Sequence, residues 1–152
     1  MDGQPGQSPA SRCADLMLTD QRPGVDWLVA RAADVASRWG GRVVVEASGT
    51  AGFLLPPLEA AGVPVDLVSR RFYADACSAL DAAVAARKVR HGNGPALNAA
   101  VAAARWSSSG EAGQRVLSRK DPRVSGLVAA ALALHGLTLA KPQTAGGWVM
   151  AL

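Results

Sequence analysis

The chain has 152 residues, enough for one domain with a sizeable buried core, and 49% hydrophobic with 18% charged residues excludes a disordered or fibrous polypeptide. The formal net charge is +4 at a pI near 9.7, and thirteen of the sixteen cationic side chains are arginine; both a polyanionic partner and plain solubility fit that balance. Cys13 and Cys77 form no CxxC pair, which argues against a disulfide scaffold and a zinc site, and no apolar stretch nears the ~18 residues of a membrane span, so a cytoplasmic protein without a membrane partner is expected.

Residues 1 to about 11 are rich in Gly, Pro, Ser and Gln and are predicted to be disordered; they lack the apolar core of a signal peptide. Cys13 to Leu18 has a weak strand pattern. After Arg22-Pro23-Gly24, the residues Val25, Leu28, Val29, Ala32, Val35, Ala36 and Trp39 fall at helical spacing and predict one amphipathic helix closed by Gly40-Gly41. Val43 to Val45 is a β-branched run that predicts a buried strand ending on a carboxylate, Glu46. The small-residue turn Ser48-Gly49-Thr50-Ala51-Gly52, a short helix closed by Gly62, and a second strand over Val63 to Val68 complete a parallel βαβ unit. Ligands gather outside the carboxyl ends of strands in such sheets, so Glu46 is the first candidate for chemistry.

Arg70-Arg71 precedes a helix with Phe72, Ala76, Leu80, Ala83 and Val84 on one face. Lys88 to Asn93 is predicted to be a basic loop. Pro95 suits the first turn of a helix carrying Leu97, Ala100, Val101 and Ala104. Arg105 to Lys120 has the pattern of a surface hairpin around Ser108 to Gly113. A last helix is predicted from about Pro122 to His135, with Val124, Leu127, Val128, Ala131 and Leu132 facing inward. The tail, 138–152, has no clear period, which leaves 12–137 as the folded domain.

The order of these pieces resembles the nuclease domain of the large terminase subunit of tailed bacteriophages. The matching stretches are RPGVDWLVARAADVA, VVVEASGTAGFLLPPLEAAGVPV, FYADACSALDAAV, KVRHGNGPALNAAVAAARW and SRKDPRVSGLVAAALALHG. They span roughly residues 22 to 137. The resemblance implies an α/β, RNase H-like mixed sheet flanked by helices, and viral DNA packaging as the setting. It implies endonuclease cleavage of concatemeric double-stranded DNA with two Mg²⁺ or Mn²⁺ ions held by clustered carboxylates. Portal and small terminase proteins are further implied partners.

Glu46 matches the second acid of that family, at the end of the central strand, and Asp121 approximates the third, near the start of the last helix. The opening hairpin with the first aspartate has no counterpart before Cys13, and the ATPase motor with its GxxxxGK[ST] is absent. The expectation is therefore a partial domain that misses the first strands of the fold, encoded by a truncated or mis-started gene. A catalytically inactive remnant that folds and binds DNA or packaging partners without cleavage is the competing expectation, and a nucleotide-binding module using the SGTAG turn is a third.

Each candidate also has a plainer reading. Glu46 could close its strand in a salt bridge to a nearby arginine. Asp121, followed by Pro122, is a usual helix N-cap pair, and cap and metal ligand are compatible roles. Arg87, Lys88, Arg90 and His91 in one stretch, and Arg119, Lys120 and Arg123 in another, are candidates for DNA phosphate contacts, against a merely solvated loop. His135 suits the negative end of its helix. The SGTAG turn lacks a lysine and favours a tight βα connection over a phosphate cradle. Trp27, Trp39 and Phe72 are expected in the core, and Trp106 at the surface.

Overall fold

The computed structural model describes residues 13–49, 51–109, 113–139 and 149–151; the predicted disorder of residues 1–11 and most of the tail lie outside them. In chain order the elements are β1 (Ala14–Leu16), α1 (Leu28–Trp39), β2 (Arg42–Glu46), a 3₁₀ turn (Gly52–Leu54) running into α2 (Leu55–Ala60), and β3 (Val65–Val68). There follow α3 (Arg70–Ala85), β4 (Val89–His91), α4 (Pro95–Ala103), β5 (Trp106–Ser109), β6 (Gln114–Leu117), a 3₁₀ turn (Pro122–Val124) running into α5 (Ser125–Gly136), and β7 (Val149–Ala151).

The three valines of β2 set the layers. β2 lies between β3 and β7, parallel to both, with Val43 opposite Val65 and Met150. Side chains alternate along a strand, so Val43 and Val45 share one face and Val44 and Glu46 the other. Val43 and Val45 pack with Ala32 of α1 and with Leu54, Leu58 and Val63. Val44 packs into the larger cluster, built by Tyr73, Cys77 and Leu80 of α3, Leu97 of α4, Leu117 of β6 and Leu127 and Leu132 of α5. That alternation sends the Glu46 carboxylate toward the α3–α5 side.

The molecule is mixed α/β, and the described strands form three small sheets rather than one. Besides β3-β2-β7 there is a parallel β1–β4 pair and an antiparallel β5–β6 hairpin. The parallel βαβ connection, the hairpin and the proline at the start of α4 are present as the sequence predicts. Two strands depart from the sequence reading. The basic stretch Lys88 to Asn93 holds β4, which pairs with β1 from Ala14 opposite Val89 to Leu16 opposite His91. The aperiodic tail supplies β7.

The helix faces need a correction too. Trp39 is 56% exposed, and Val84 and Val101, placed inward by periodicity, are exposed as well. On α4 the buried positions are Leu97, Ala100 and Ala103. Trp27 and Phe72 are half-buried, the first donating its indole N–H to the Gly24 carbonyl at 3.1 Å. α5 is apolar nearly all round, as suits a helix packed on several sides; its neighbours include α3, α4, β2 and β7. Among the described residues no helix is long and apolar enough to cross a membrane.

Candidate functional site

Glu46 is the one buried charged residue among those described. It stands at the carboxyl end of β2, where the Ala47 amide still bonds the Val68 carbonyl at 2.9 Å and the chain then turns sharply. Burying a carboxylate is costly unless both oxygens find partners. Both do. Ser48 Oγ donates to Oε1 at 2.7 Å, and the Arg119 guanidinium donates to Oε2 in a close salt bridge. Arg119 reaches Glu46 from just beyond β6 and lies over the Tyr73 ring, 3.8 Å from its centroid. Burial works against the Arg119 charge, but its bonds to Glu46 and Tyr73 outweigh that and hold its pKa above the ordinary arginine value.

Beneath this pair, α3 ties itself to β6. The Tyr73 hydroxyl donates to the Leu117 carbonyl at 2.6 Å, and the Leu117 amide donates to Cys77 Sγ at 3.5 Å. Burial pushes the Cys77 thiol up and the Tyr73 phenol up to about 12. Because the phenol holds its proton more tightly when folded, its contribution to stability is complete below about pH 10, the unfolded pKa, and is lost as pH rises through about 12. Tyr73 is the chain's single tyrosine, so ultraviolet titration reads it without ambiguity. The phenolate band is expected to appear about two pH units later in the native protein than in strong urea. Coincident titrations would show that the ring is open to water.

Asp121 lies across an open cleft of about 200 Å³, whose lining includes Glu46, Arg119, Asp121 and Ser125. The predicted cap is there: its carboxylate accepts from the Arg123 amide at 2.9 Å at the start of the 3₁₀ turn. It also binds the Arg123 guanidinium, with Nη2 at 2.7 Å, and this pairing holds the Asp121 carboxyl below the usual range. The two acids that the sequence nominates thus do share one cleft. Each carries its own arginine, so the four charges cancel.

Mg²⁺ or Mn²⁺ is the group that the resemblance implies, and a two-ion centre needs several carboxylate oxygens free to converge. Here both Glu46 oxygens are engaged, Asp121 is chelated by Arg123, and no three His, Cys, Asp or Glu side chains cluster among the described residues. The residues present do not fit a two-metal site. In the βα turn, two of the amides that a phosphate cradle would use bond within the turn: Gly49 N–H to the Glu46 carbonyl at 3.1 Å, Gly52 N–H to the Gly49 carbonyl at 3.2 Å. A Cβ at Gly52 would lie 2.9 Å from the Ala47 carbonyl oxygen, so close packing is the reason for glycine there.

The candidate DNA contacts divide. Arg119 is turned inward to Glu46. Lys120 and Arg123 line a second, larger groove of about 600 Å³, together with Arg105 and Trp106; Asp121 lines this groove as well as the cleft. Arg87, Lys88, Arg90 and His91 lie apart from the groove's lining, on or just before β4. Arg90 pairs with Asp15 across the β1–β4 ladder at 3.2 Å, and His91 Nδ1 accepts from the Asn93 amide at 3.2 Å. His135 stacks on Phe72 with ring centroids 4.5 Å apart, and its Nδ1 is buried without a hydrogen-bond partner among the described residues.

Family models, curated proteins and solved structures give no match to this chain. Sequence reasoning missed Arg105 and the Tyr73–Cys77–Leu117 support. Arg105 directly precedes Trp106, the aromatic singled out for the surface, and that adjacency was the available signal.

Proposed function

We propose that this chain is a DNA-binding α/β domain of the terminase nuclease type, RNase H-like in descent, that holds double-stranded DNA without cutting it. The observation that carries this reading is the groove beside the neutralised cleft, where Arg105, Lys120 and Arg123 converge. Arginine and lysine in a concave surface favour phosphate backbones, and such contacts position a duplex without reading bases. The cleft, with every carboxylate tied to a guanidinium, has no free oxygen set to organise the ions of phosphodiester hydrolysis.

The test is duplex binding by fluorescence anisotropy across a salt series, paired with plasmid nicking in Mg²⁺ or Mn²⁺. Affinity should be independent of sequence, with log K falling by ~0.9 per phosphate neutralised for each log unit of salt, and no nicks should accumulate. Absence of binding at low salt would overturn the reading. A second reading, the metal-dependent endonuclease, has one observation in its favour: Glu46 and Asp121 line the same cleft. Nicking by the intact chain that disappears in Glu46→Gln would establish it.

A further inference from the structure

We infer that the groove between the end of α4 and the β5–β6 hairpin is a site for a single nucleic-acid strand, with a base on Trp106 and the flanking phosphates on Arg105 and Lys120. The inference rests on the nucleic-acid reading above and gives it a ligand form and an aromatic contact. At about 600 Å³ the groove falls within the roughly 300–1,000 Å³ range of small-ligand sites, room for one or two nucleotides of an unpaired strand.

Its walls offer the two things such a strand needs. Trp106 lines the groove and is 39% exposed. The Arg115 guanidinium sits 4.9 Å from the ring centroid, so one side of the indole is braced by a cation and the plane is held. Stacking on such a platform needs a base with a free face, which an unpaired strand presents and the interior of a duplex does not.

The charge is arranged to match. Arg105 is fixed at the helix end, donating to the Ala104 and Ala102 carbonyls at 2.7 and 3.2 Å, so its charge faces the groove in a set position. Lys120 has no ion pair among the described residues and is free to meet a phosphate. Arg123 neutralises Asp121, the one carboxylate among the groove's described lining residues. Ser107 and Ser118 add hydroxyls to the lining.

The experiment compares the intact chain, Trp106→Leu and Trp106→Phe against a labelled short oligothymidylate and a blunt duplex. Oligothymidylate should bind the intact chain, weaken between about 5- and 150-fold in Trp106→Leu, and largely recover in Trp106→Phe. Duplex affinity should change less than about twofold in either variant, since phosphate contacts do not use the indole. In the intact chain the Trp106 indole N–H resonance should shift on adding oligothymidylate, which tests the site even if a variant fails to fold. Duplex binding with no oligothymidylate binding, or an unmoved Trp106 resonance, would overturn the single-strand site and leave the duplex reading standing. No binding of either probe would overturn both, and equal losses for both probes in Trp106→Leu would show a structural role for the indole.

Discussion

Replacing Arg119 by methionine is expected to destabilise the fold by about 2–3 kcal/mol. The variant leaves the Glu46 carboxylate, whose side chain is 6% exposed, with Ser48 as its sole remaining partner among the described residues. Removing one member of a fully buried ion pair costs about 3–5 kcal/mol, because the other is left as an uncompensated charge. Arg119 is itself 40% exposed, so water offsets part of that cost and the lower figure applies. Methionine keeps an unbranched chain over the Tyr73 ring, so lost packing contributes little. For a chain of this size the melting temperature should fall by about 4–12 °C.

Glu46→Gln alone should cost less, about 1 kcal/mol, since it strands a guanidinium that is half in solvent and still stacked on an aromatic ring. The double variant should then be more stable than the sum of the singles implies, with a coupling energy of about 1–2 kcal/mol. Thermal denaturation of the four proteins closes the cycle. A loss below about 0.5 kcal/mol in Arg119→Met would mean that Glu46 is solvated in the native state, and the cleft would have to be reconsidered as an open acidic site.

The sequence made some of this legible and hid the rest for identifiable reasons. β2 could be read because three β-branched residues ending on a carboxylate leave few alternatives to a buried strand with a polar end. The Asp121–Pro122 pair could be read because capping is local: donor and acceptor are two residues apart. Arg119 could not be assigned to Glu46, since the partners are 73 residues apart and spacing holds no information about a contact made by the fold.

β4 and β7 are three residues each, too short for a period of two to show, and each exists through a parallel partner distant in sequence. The Ala-rich α4 and the nearly all-apolar α5 carry little amphipathic contrast, so composition fixed their helicity but not their buried faces. Trp39 and Val84 lie on helical apolar stripes, yet neighbours cover only part of each stripe. The resemblance supplied acids at Glu46 and Asp121; it had no means of showing that each would meet an arginine.

The cations of the groove set the second large effect, on duplex DNA binding. Substituting Arg105 and Lys120 together by glutamine should lower duplex affinity by about 60-fold at 0.1 M salt, because each neutralised phosphate contributes about 0.9 log units per tenfold dilution of salt. The salt slope should flatten by about 1.8 over the same series. Comparable substitutions in the β4 stretch, Arg87, Lys88 and Arg90, should have a smaller effect, since these residues lie outside the groove's lining and Arg90 is already paired with Asp15. An unchanged slope in the groove variant would place the phosphates elsewhere.

Asp121→Asn separates electrostatics from metal chemistry by sign. Asparagine caps a helix start as well as aspartate does, so the 3₁₀ turn at Pro122 should hold. The change deletes a carboxylate from the groove and releases the Arg123 guanidinium from its chelate, so duplex affinity should rise severalfold and the salt slope should steepen toward one further phosphate. If Asp121 instead served to hold a divalent ion against the DNA, the same substitution would weaken binding, and only when Mn²⁺ was present. Anisotropy measured with chelator and then with Mn²⁺ distinguishes the two: tighter binding in both conditions is the expected result, and a loss confined to Mn²⁺ would return Asp121 to the role of metal ligand.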